Sequence, residues 1–107
     1  MDLVVEIYQL TEVFPEKEKF GLVSQMRRAA VSIPSNIAEG CERNTKKDFA
    51  NFLIFARSSA AELETQILIS HNLKFLEKTK TTELLEKTIE IKKMLFALRR
   101  KILQAAN

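Results

Sequence analysis

Four side chains of this 107-residue chain are the candidates for catalysis or metal binding: Cys41, His71, Glu39 and Glu62. Nucleophilic catalysis requires a base beside the nucleophile, and Cys41 and His71 lie near opposite ends of what we expect to be one antiparallel helix pair. Glu39 and Glu62 stand among small or apolar residues, where a buried carboxylate needs hydrogen-bonding partners. The expected register keeps them too far apart for joint acid–base catalysis. We therefore expect no catalytic residue, no metal site and no cofactor.

Basic side chains form two clusters. The first joins Arg27 and Arg28 of one expected helix to Arg57 of the next, and the second lies near the C-terminus: Lys92, Lys93, Arg99, Arg100 and Lys101. Such patches can bind phosphates, but Lys and Arg also solvate helix faces and are favoured near helix C-termini. The sequence leaves both interpretations open. A helix-turn-helix around Gly40 is disfavoured, because both flanking helices are too long.

The composition predicts that long helices position these groups. Only two residues are Pro and two are Gly, and 46% are hydrophobic, which is typical of helical proteins. The length indicates one domain, residues 1–107. The net charge of +3 permits an anionic partner. The single cysteine suits a reducing compartment, and neither a signal peptide nor a membrane span is evident, so we expect a cytoplasmic protein without a membrane partner.

Hydrophobic periodicity divides the chain into four expected helices. The first covers about residues 2–13 and ends at Pro15, because the residue before proline avoids the α region. The second covers about residues 17–42. The third begins at a Thr45 cap resembling a capping box and ends near Leu76, and the fourth follows a polar turn with a cap near Thr81. This pattern predicts an all-α, up-down antiparallel four-helix bundle in which helices two to four are long.

The short turns also predict a register. In the last two helices small residues then face large ones: Ala56 with Ile102, Ala60 with Leu98, Leu63 with Leu95, and Ile67 with Ile91. Because an α-helix rises about 1.5 Å per residue, the expected helix two is roughly twice as long as helix one. About residues 33–43 of helix two are therefore expected to lack cover from helix one.

Pro34 lies inside this uncovered part. We expect a kink, with Ser32 or Ser35 bonding the freed backbone groups. A full break, in which Asn36 caps a new helix and Glu39 closes the box, is the alternative. The small residues nearby predict a contact surface. Structural or assembly roles are expected for five polar residues: Gln25, Ser32, Asn36, Glu39 and Glu62.

Apolar residues outnumber what one bundle core needs. A second stripe on helix four and a wider apolar face on helix three comprise Leu85, Ile89, Phe96 and Leu103 with Phe52, Phe55 and Leu68. An apolar arc of this breadth predicts a subunit interface. A thicker monomeric core is the alternative.

The segment from Phe14 to Gln66 closely resembles the family of 23S rRNA intervening-sequence proteins. It reads FPEKEKFGLVSQMRRAAVSIPSNIAEGCERNTKKDFANFLIFARSSAAELETQ. The positions that match the family pattern are Phe20, Gly21, Leu22, Gln25, Arg27, Arg28, Ala29, Ser32, Ile33, Asn36, Ile37, Ala38, Glu39, Gly40 and Arg43, followed by Phe52, Leu53, Ala56, Ser58, Glu62 and Leu63. Family members usually have a longer lead into helix one, often with a Trp, which covers helix two near Ile33 to Gly40. This chain begins at Met1-Asp2-Leu3 and contains no Trp.

The resemblance implies a bacterial, cytoplasmic up-down bundle that assembles as a homopentamer. A related branch, the accessory variability proteins of diversity-generating retroelements, uses a basic pentamer to bind nucleic acid and a reverse transcriptase, although fold similarity alone does not transfer function. We expect a non-enzymatic homo-oligomer whose basic surface contacts RNA or DNA through Arg27, Arg28, Arg43, Lys46 and Lys47. The alternative is a structural scaffold that binds a partner protein and has no affinity for nucleic acid.

Overall fold

Four α-helices account for most of the computed structural model, which describes residues 2–105. They are α1 (Asp2–Thr11), α2 (Leu22–Cys41), α3 (Lys46–Asn72) and α4 (Lys78–Ala105), and a short 3₁₀ helix, Glu16–Glu18, lies between α1 and α2. α1 packs on α2, α2 on α3, and α3 on α4, which is the order of an up-down bundle. The predicted all-α fold is confirmed. None of the helices in the described part is long and apolar enough to cross a membrane.

The connection between α1 and α2 is longer than predicted. Pro15 has extended backbone angles, φ −54° and ψ 140°, and a 3₁₀ turn follows it, so α2 begins at Leu22 instead of about residue 17. Phe14 holds this connection in place. It is buried, and its ring centroid lies 5.3 Å from that of Phe75 in the α3–α4 turn.

α3 begins as predicted and ends earlier. The Thr45 hydroxyl accepts a hydrogen bond from the Asp48 amide at 3.1 Å, which confirms the cap. At the other end the amides of Lys74 and Phe75 donate to the carbonyls of His71 and Ser70, both at 2.9 Å. This is a Schellman ending, and it puts Lys74 in the left-handed region, φ 67°. α3 therefore stops at Asn72.

The predicted threonine cap of α4 is wrong. α4 begins at Lys78, and the Thr81 hydroxyl donates to the carbonyl of Glu77 at 2.7 Å from within the first turn. Because α3 ends earlier and α4 begins earlier than predicted, the register between these two helices also differs from the prediction.

The register predicted for α3 and α4 is wrong by about seven residues. Leu53 and Ala56 form one buried cluster with Leu95, and Phe49 lies beside Leu98 and Ile102. The expected partner of Ala56 was Ile102. A shift of seven residues is two turns, so it brings the same face of α4 toward α3 and preserves the apolar pattern that guided the prediction.

The core is continuous but not equally covered along the bundle. One buried cluster includes Ile7, Met26, Leu63, Ile67 and Leu84 from all four helices. α1 has 10 residues and α2 has 20, so α1 accompanies only the first part of α2, as predicted. We call residues 2–32 and 60–91 the four-helix half, and residues 33–59 and 92–105 the three-helix half.

The three-helix half has an open corner where a fourth helix would lie. Its floor is formed by partly buried side chains of α3 and α4, including Phe49 and Ile102, with Lys46 and Lys101 at the rim. Leu98 is 39% exposed and Met94 62% exposed on the same side of α4. The apolar surface that α1 covers in one half is thus open to solvent in the other.

Ion pairs fasten α1 to α4. The Glu6 carboxylate accepts a hydrogen bond from Lys87 Nζ at 2.6 Å and lies 3.8 Å from Lys80 Nζ. The bond to Glu6 raises the pKa of Lys87 above its ordinary value, against a smaller opposing effect of desolvation.

Candidate nucleic-acid interface

Arg27 was predicted to contact nucleic acid, and it lies in the α1–α2 packing. Its Nε donates to the Thr11 hydroxyl at 3.0 Å, its guanidinium donates to the Tyr8 carbonyl at 3.2 Å, and its Cζ lies 4.6 Å from the centroid of the Tyr8 ring. Glu12 adds an ion pair at 3.4 Å. These contacts satisfy most of the donors of Arg27 within the chain, so its evident role is to hold α1.

Arg28 points away from Arg27, because consecutive helix residues lie about 100° apart. Its guanidinium pairs with Glu62 on α3 at 2.8 Å, and both side chains are substantially exposed. Gln66 also donates to Glu62, at 3.4 Å. Gln25 is exposed on the same helix. Glu62 therefore accepts hydrogen bonds from both Arg28 and Gln66 although it is exposed, and Arg28 is partly neutralised.

The remaining predicted contacts, Arg43, Lys46 and Lys47, lie around the turn from α2 to α3, and all three are exposed. Arg43 Cζ sits 4.6 Å from the centroid of the Phe52 ring, and Lys46 Nζ donates to the carbonyl of Ala105 at 3.4 Å. These cations face solvent at the end of the three-helix half.

α2 runs through Pro34 without interruption, so the full break considered from the sequence is wrong. The side-chain hydrogen bond beside Pro34 is donated by Asn36 to the carbonyl of Ser32, at 2.8 Å. The donor of this bond is thus Asn36, and not the Ser32 or Ser35 side chain that was predicted. Glu39 is exposed and therefore needs no buried partner.

Gly40 brings α2 and α3 close together. A Cβ atom at this position would lie 2.8 Å from Phe49 Cδ1 and 2.8 Å from Phe52 Cβ. The three-helix half is therefore tightly packed between α2 and α3, although its corner is open.

The prediction that Arg57 forms one cluster with Arg27 and Arg28 is wrong. The Cζ atom of Arg57 lies 5.2 Å from the centroid of the Phe96 ring on α4. It lines a groove between α3 and α4, on the opposite side of α4 from the open corner. The groove has a volume of about 360 Å³ and is lined by Leu53, Ile54, Arg57, Ser58, Ala61, Lys92, Leu95, Phe96 and Arg99.

Most cations of this groove are not neutralised. Lys92 pairs with Glu64 at 3.0 Å. Lys93 lines an adjoining pocket with Arg57 and Phe96. Within residues 2–105, the ion pairs involve none of Arg57, Lys93 and Arg99. The Nε of Arg99 is buried and has no hydrogen-bond partner in the same part of the chain. Sequence reasoning identified the α4 cations, but it assigned Arg57 to a cluster with Arg27 and Arg28 and Phe96 to a subunit interface. It missed the contact between Arg57 and Phe96, because that contact depends on the register of α3 against α4.

Charge is segregated along the bundle. The three-helix half contains nine Lys and Arg residues against three Asp and Glu residues, although the whole chain has a net charge of only +3. The four-helix half is therefore net acidic. Cations concentrated at one end form the electrostatic footprint that a polyanion requires.

The residues with catalytic chemistry are dispersed. Cys41 is exposed at the end of α2. His71 Nδ1 lies 3.1 Å from the carbonyl of Leu76 and 3.3 Å from the Thr81 hydroxyl, at the far end of α3. Among residues 2–105, no three His, Cys, Asp or Glu side chains are grouped so as to hold a metal ion.

Comparison with known proteins identifies the relatives of this bundle. A crystal structure of a protein with unknown function from the S23 ribosomal protein family of Bacteroides thetaiotaomicron VPI-5482 superposes with a TM-score of 0.79. The match covers 90% of this chain and 87% of that one at 24% identity, which supports the fold alone. No curated protein sequence matches. The model of the 23S rRNA-intervening sequence protein family matches residues 1–97. The chain therefore belongs to the 23S rRNA-intervening sequence protein family.

Proposed function

We propose that the protein is a cytoplasmic, non-enzymatic homo-oligomer that binds RNA or DNA through the cations of its three-helix half. The observation that carries this proposal is the segregation of nine basic against three acidic residues at one end of the bundle. A polyanion binds such a surface by releasing counterions from its phosphates. Arg57 and Arg99 of the groove, and Lys93 in the adjoining pocket, are better placed for this role than Arg27, which holds α1.

The test is a titration with labelled RNA and DNA at several salt concentrations. The logarithm of the association constant should fall linearly with the logarithm of the salt concentration. Lys93→Gln should reduce the magnitude of that slope by about 1, which is the contribution of one phosphate contact. Lys17→Gln is the matched control, since it removes an equal charge from an exposed site in the four-helix half. No binding at low salt, or an equal effect of both variants, would contradict the proposal.

Self-association is the second part of the proposal, and the open corner supports it. Met94 and Leu98 leave apolar surface exposed where a monomer would be expected to bury it. A second copy that packs into the corner would complete the missing side of the bundle. The family resemblance makes a pentamer the expected assembly.

Light scattering of the purified protein measures this directly. We expect a pentamer that Met94→Glu weakens, because a carboxylate would have to be buried in the new interface. Val13→Glu serves as the control, since Val13 is 83% exposed in the four-helix half. A monomer at micromolar concentration would contradict the assembly. An intact oligomer without affinity for nucleic acid would instead favour the scaffold that binds a partner protein.

A further inference from the structure

We infer that the groove between α3 and α4 binds single-stranded nucleic acid in preference to duplex, with an unpaired base stacked at Phe96. This inference rests on the proposed function and specifies its ligand. It depends on three features of the groove: an exposed aromatic ring, a planar cation over one face of that ring, and further cations one helical turn away on either side of it.

The ring of Phe96, which the sequence assigned to an expected subunit interface, is open to solvent in the single chain, and the corner proposed for self-association lies on the opposite side of α4. Phe96 is 51% exposed, whereas Leu95, on the adjacent face of α4, is buried. The Arg57 guanidinium lies over one face of the ring, with Cζ 5.2 Å from its centroid, so a base would stack on the exposed surface of this pair. Aromatic rings and guanidinium planes are the two side-chain surfaces on which unpaired bases stack.

The geometry distinguishes a single strand from a duplex. Each base inside a duplex already has both faces covered by its neighbours, so only a base outside a duplex can stack on a protein ring. Lys93 and Arg99 flank Phe96 along α4, at spacings of three residues on the helix, and leave their charge available to phosphates on either side of the stacked base. Arg57 contributes from the opposite wall of the groove.

Ile54 extends the apolar floor of the groove. It is 40% exposed on α3 and lines the same groove as Phe96. The flat face of an unpaired base would therefore displace water from Phe96 and Ile54 together, which a phosphate backbone alone would not do. The combination of ring, apolar floor and cations matches the stacking platforms with electrostatic grooves that bind single strands without sequence preference.

The experiment compares one strand of mixed sequence with the duplex that it forms with its complement, in RNA and in DNA, at one fixed salt concentration. Wild-type protein should bind the single strand more tightly. Phe96→Leu keeps an apolar side chain but removes the ring, and it should weaken single-strand binding by roughly 5- to 150-fold while duplex binding is unchanged. Because Phe96 is half exposed, this variant is expected to keep the fold, which circular dichroism checks.

Two further variants complete the design. Phe20→Leu is the matched control, since Phe20 is 90% exposed beside Lys19 but lies far from the groove, in the connection before α2. It should change neither affinity. Arg57→Lys retains the charge and loses the planar guanidinium. It should therefore lower the affinity for the single strand more than the affinity for the duplex.

The outcomes separate the inference from the proposed function. Equal affinity for single strand and duplex, or an equal loss with both ligands in Phe96→Leu, overturns the inference and leaves nucleic-acid binding standing. An effect of Phe20→Leu as large as that of Phe96→Leu also overturns it. Absence of binding to either ligand contradicts the proposed function and, with it, the inference.

Discussion

The two halves of the bundle differ in both cover and charge. In the four-helix half, α1 closes the core over Ile7 and Met26, and acidic residues outnumber basic ones. In the three-helix half, Leu98 and Met94 are exposed at an open corner, and basic residues dominate. One continuous heptad pattern thus builds an enclosed core at one end of the bundle and leaves open surfaces at the other.

The sharpest test of this comparison is to truncate one apolar side chain in each half. Ile7 is fully buried, so Ile7→Ala should lower the free energy of unfolding by about 2–5 kcal/mol. Leu98→Ala removes a side chain that is 39% exposed, and it should cost less than about 1 kcal/mol. Urea unfolding measures both under monomeric conditions. Similar losses would show that the two halves are equally enclosed.

Gly40 tests whether the three-helix half is tightly packed despite its open corner. Gly40→Ala would place Cβ against Phe49 and Phe52, an overpacking that costs about 1–3 kcal/mol, and higher helix propensity would offset about 1 kcal/mol of this. We expect a net loss of up to about 2 kcal/mol by urea unfolding. Ser35→Ala, at an exposed position of α2, should change stability by less than about 0.5 kcal/mol. A stabilised Gly40→Ala protein would contradict the close approach.

The neighbouring arginines of α2 should differ in effect. Arg27→Gln removes the bonds to Tyr8 and Thr11 and should cost about 1–2 kcal/mol, because the Thr11 side chain is buried. Arg28→Gln breaks an exposed pair and should cost less than about 1 kcal/mol. Thermal unfolding measures both. If Arg28→Gln is the more damaging variant, our assignment of Arg27 to the attachment of α1 is wrong.

Lys74 offers a small stabilisation in the four-helix half. Its φ of 67° is costly for any residue with a Cβ, so Lys74→Gly should raise stability by up to about 1 kcal/mol. Lys74→Ala is the control, since it removes the charge and the side chain but retains the strain. Equal stability of the two variants, measured in urea, would exclude backbone strain as the cause.

The smallest expected effect concerns the pH dependence of the α1–α4 pair. The pKa of Lys87 is raised in the folded protein by its bond to Glu6. Its stabilising contribution is therefore complete below the ordinary lysine pKa and is lost as the pH rises through the raised value. Lys87→Gln should flatten the alkaline limb of a plot of stability against pH. An unchanged limb would show that the exposed pair contributes nothing measurable.

The sequence predicted the fold class, the Thr45 cap and the unequal lengths of α1 and α2, because periodicity and capping are local signals. It did not predict the register of α3 against α4, since a shift of one heptad satisfies the same apolar pattern. Lys74 explains part of that failure. The residue in the left-handed region after a helix is usually Gly or Asn, and neither marks the end of α3 in the sequence. The candidate groove at Arg57 and Phe96 was missed for the same reason, because it exists only in the observed register.

The shortness of α1 has a consequence for how the protein opens. α1 has 10 residues and is held by Leu3, Ile7, Arg27 and a few ion pairs, whereas α2, α3 and α4 pack on each other over much longer stretches. α1 should therefore detach as a unit at a lower free energy than global unfolding requires. Amide hydrogen exchange would then be faster in α1 than in the centre of α3. In that opened state the corner would extend along the full length of the bundle, and a second copy or a partner helix could enter it by displacing α1.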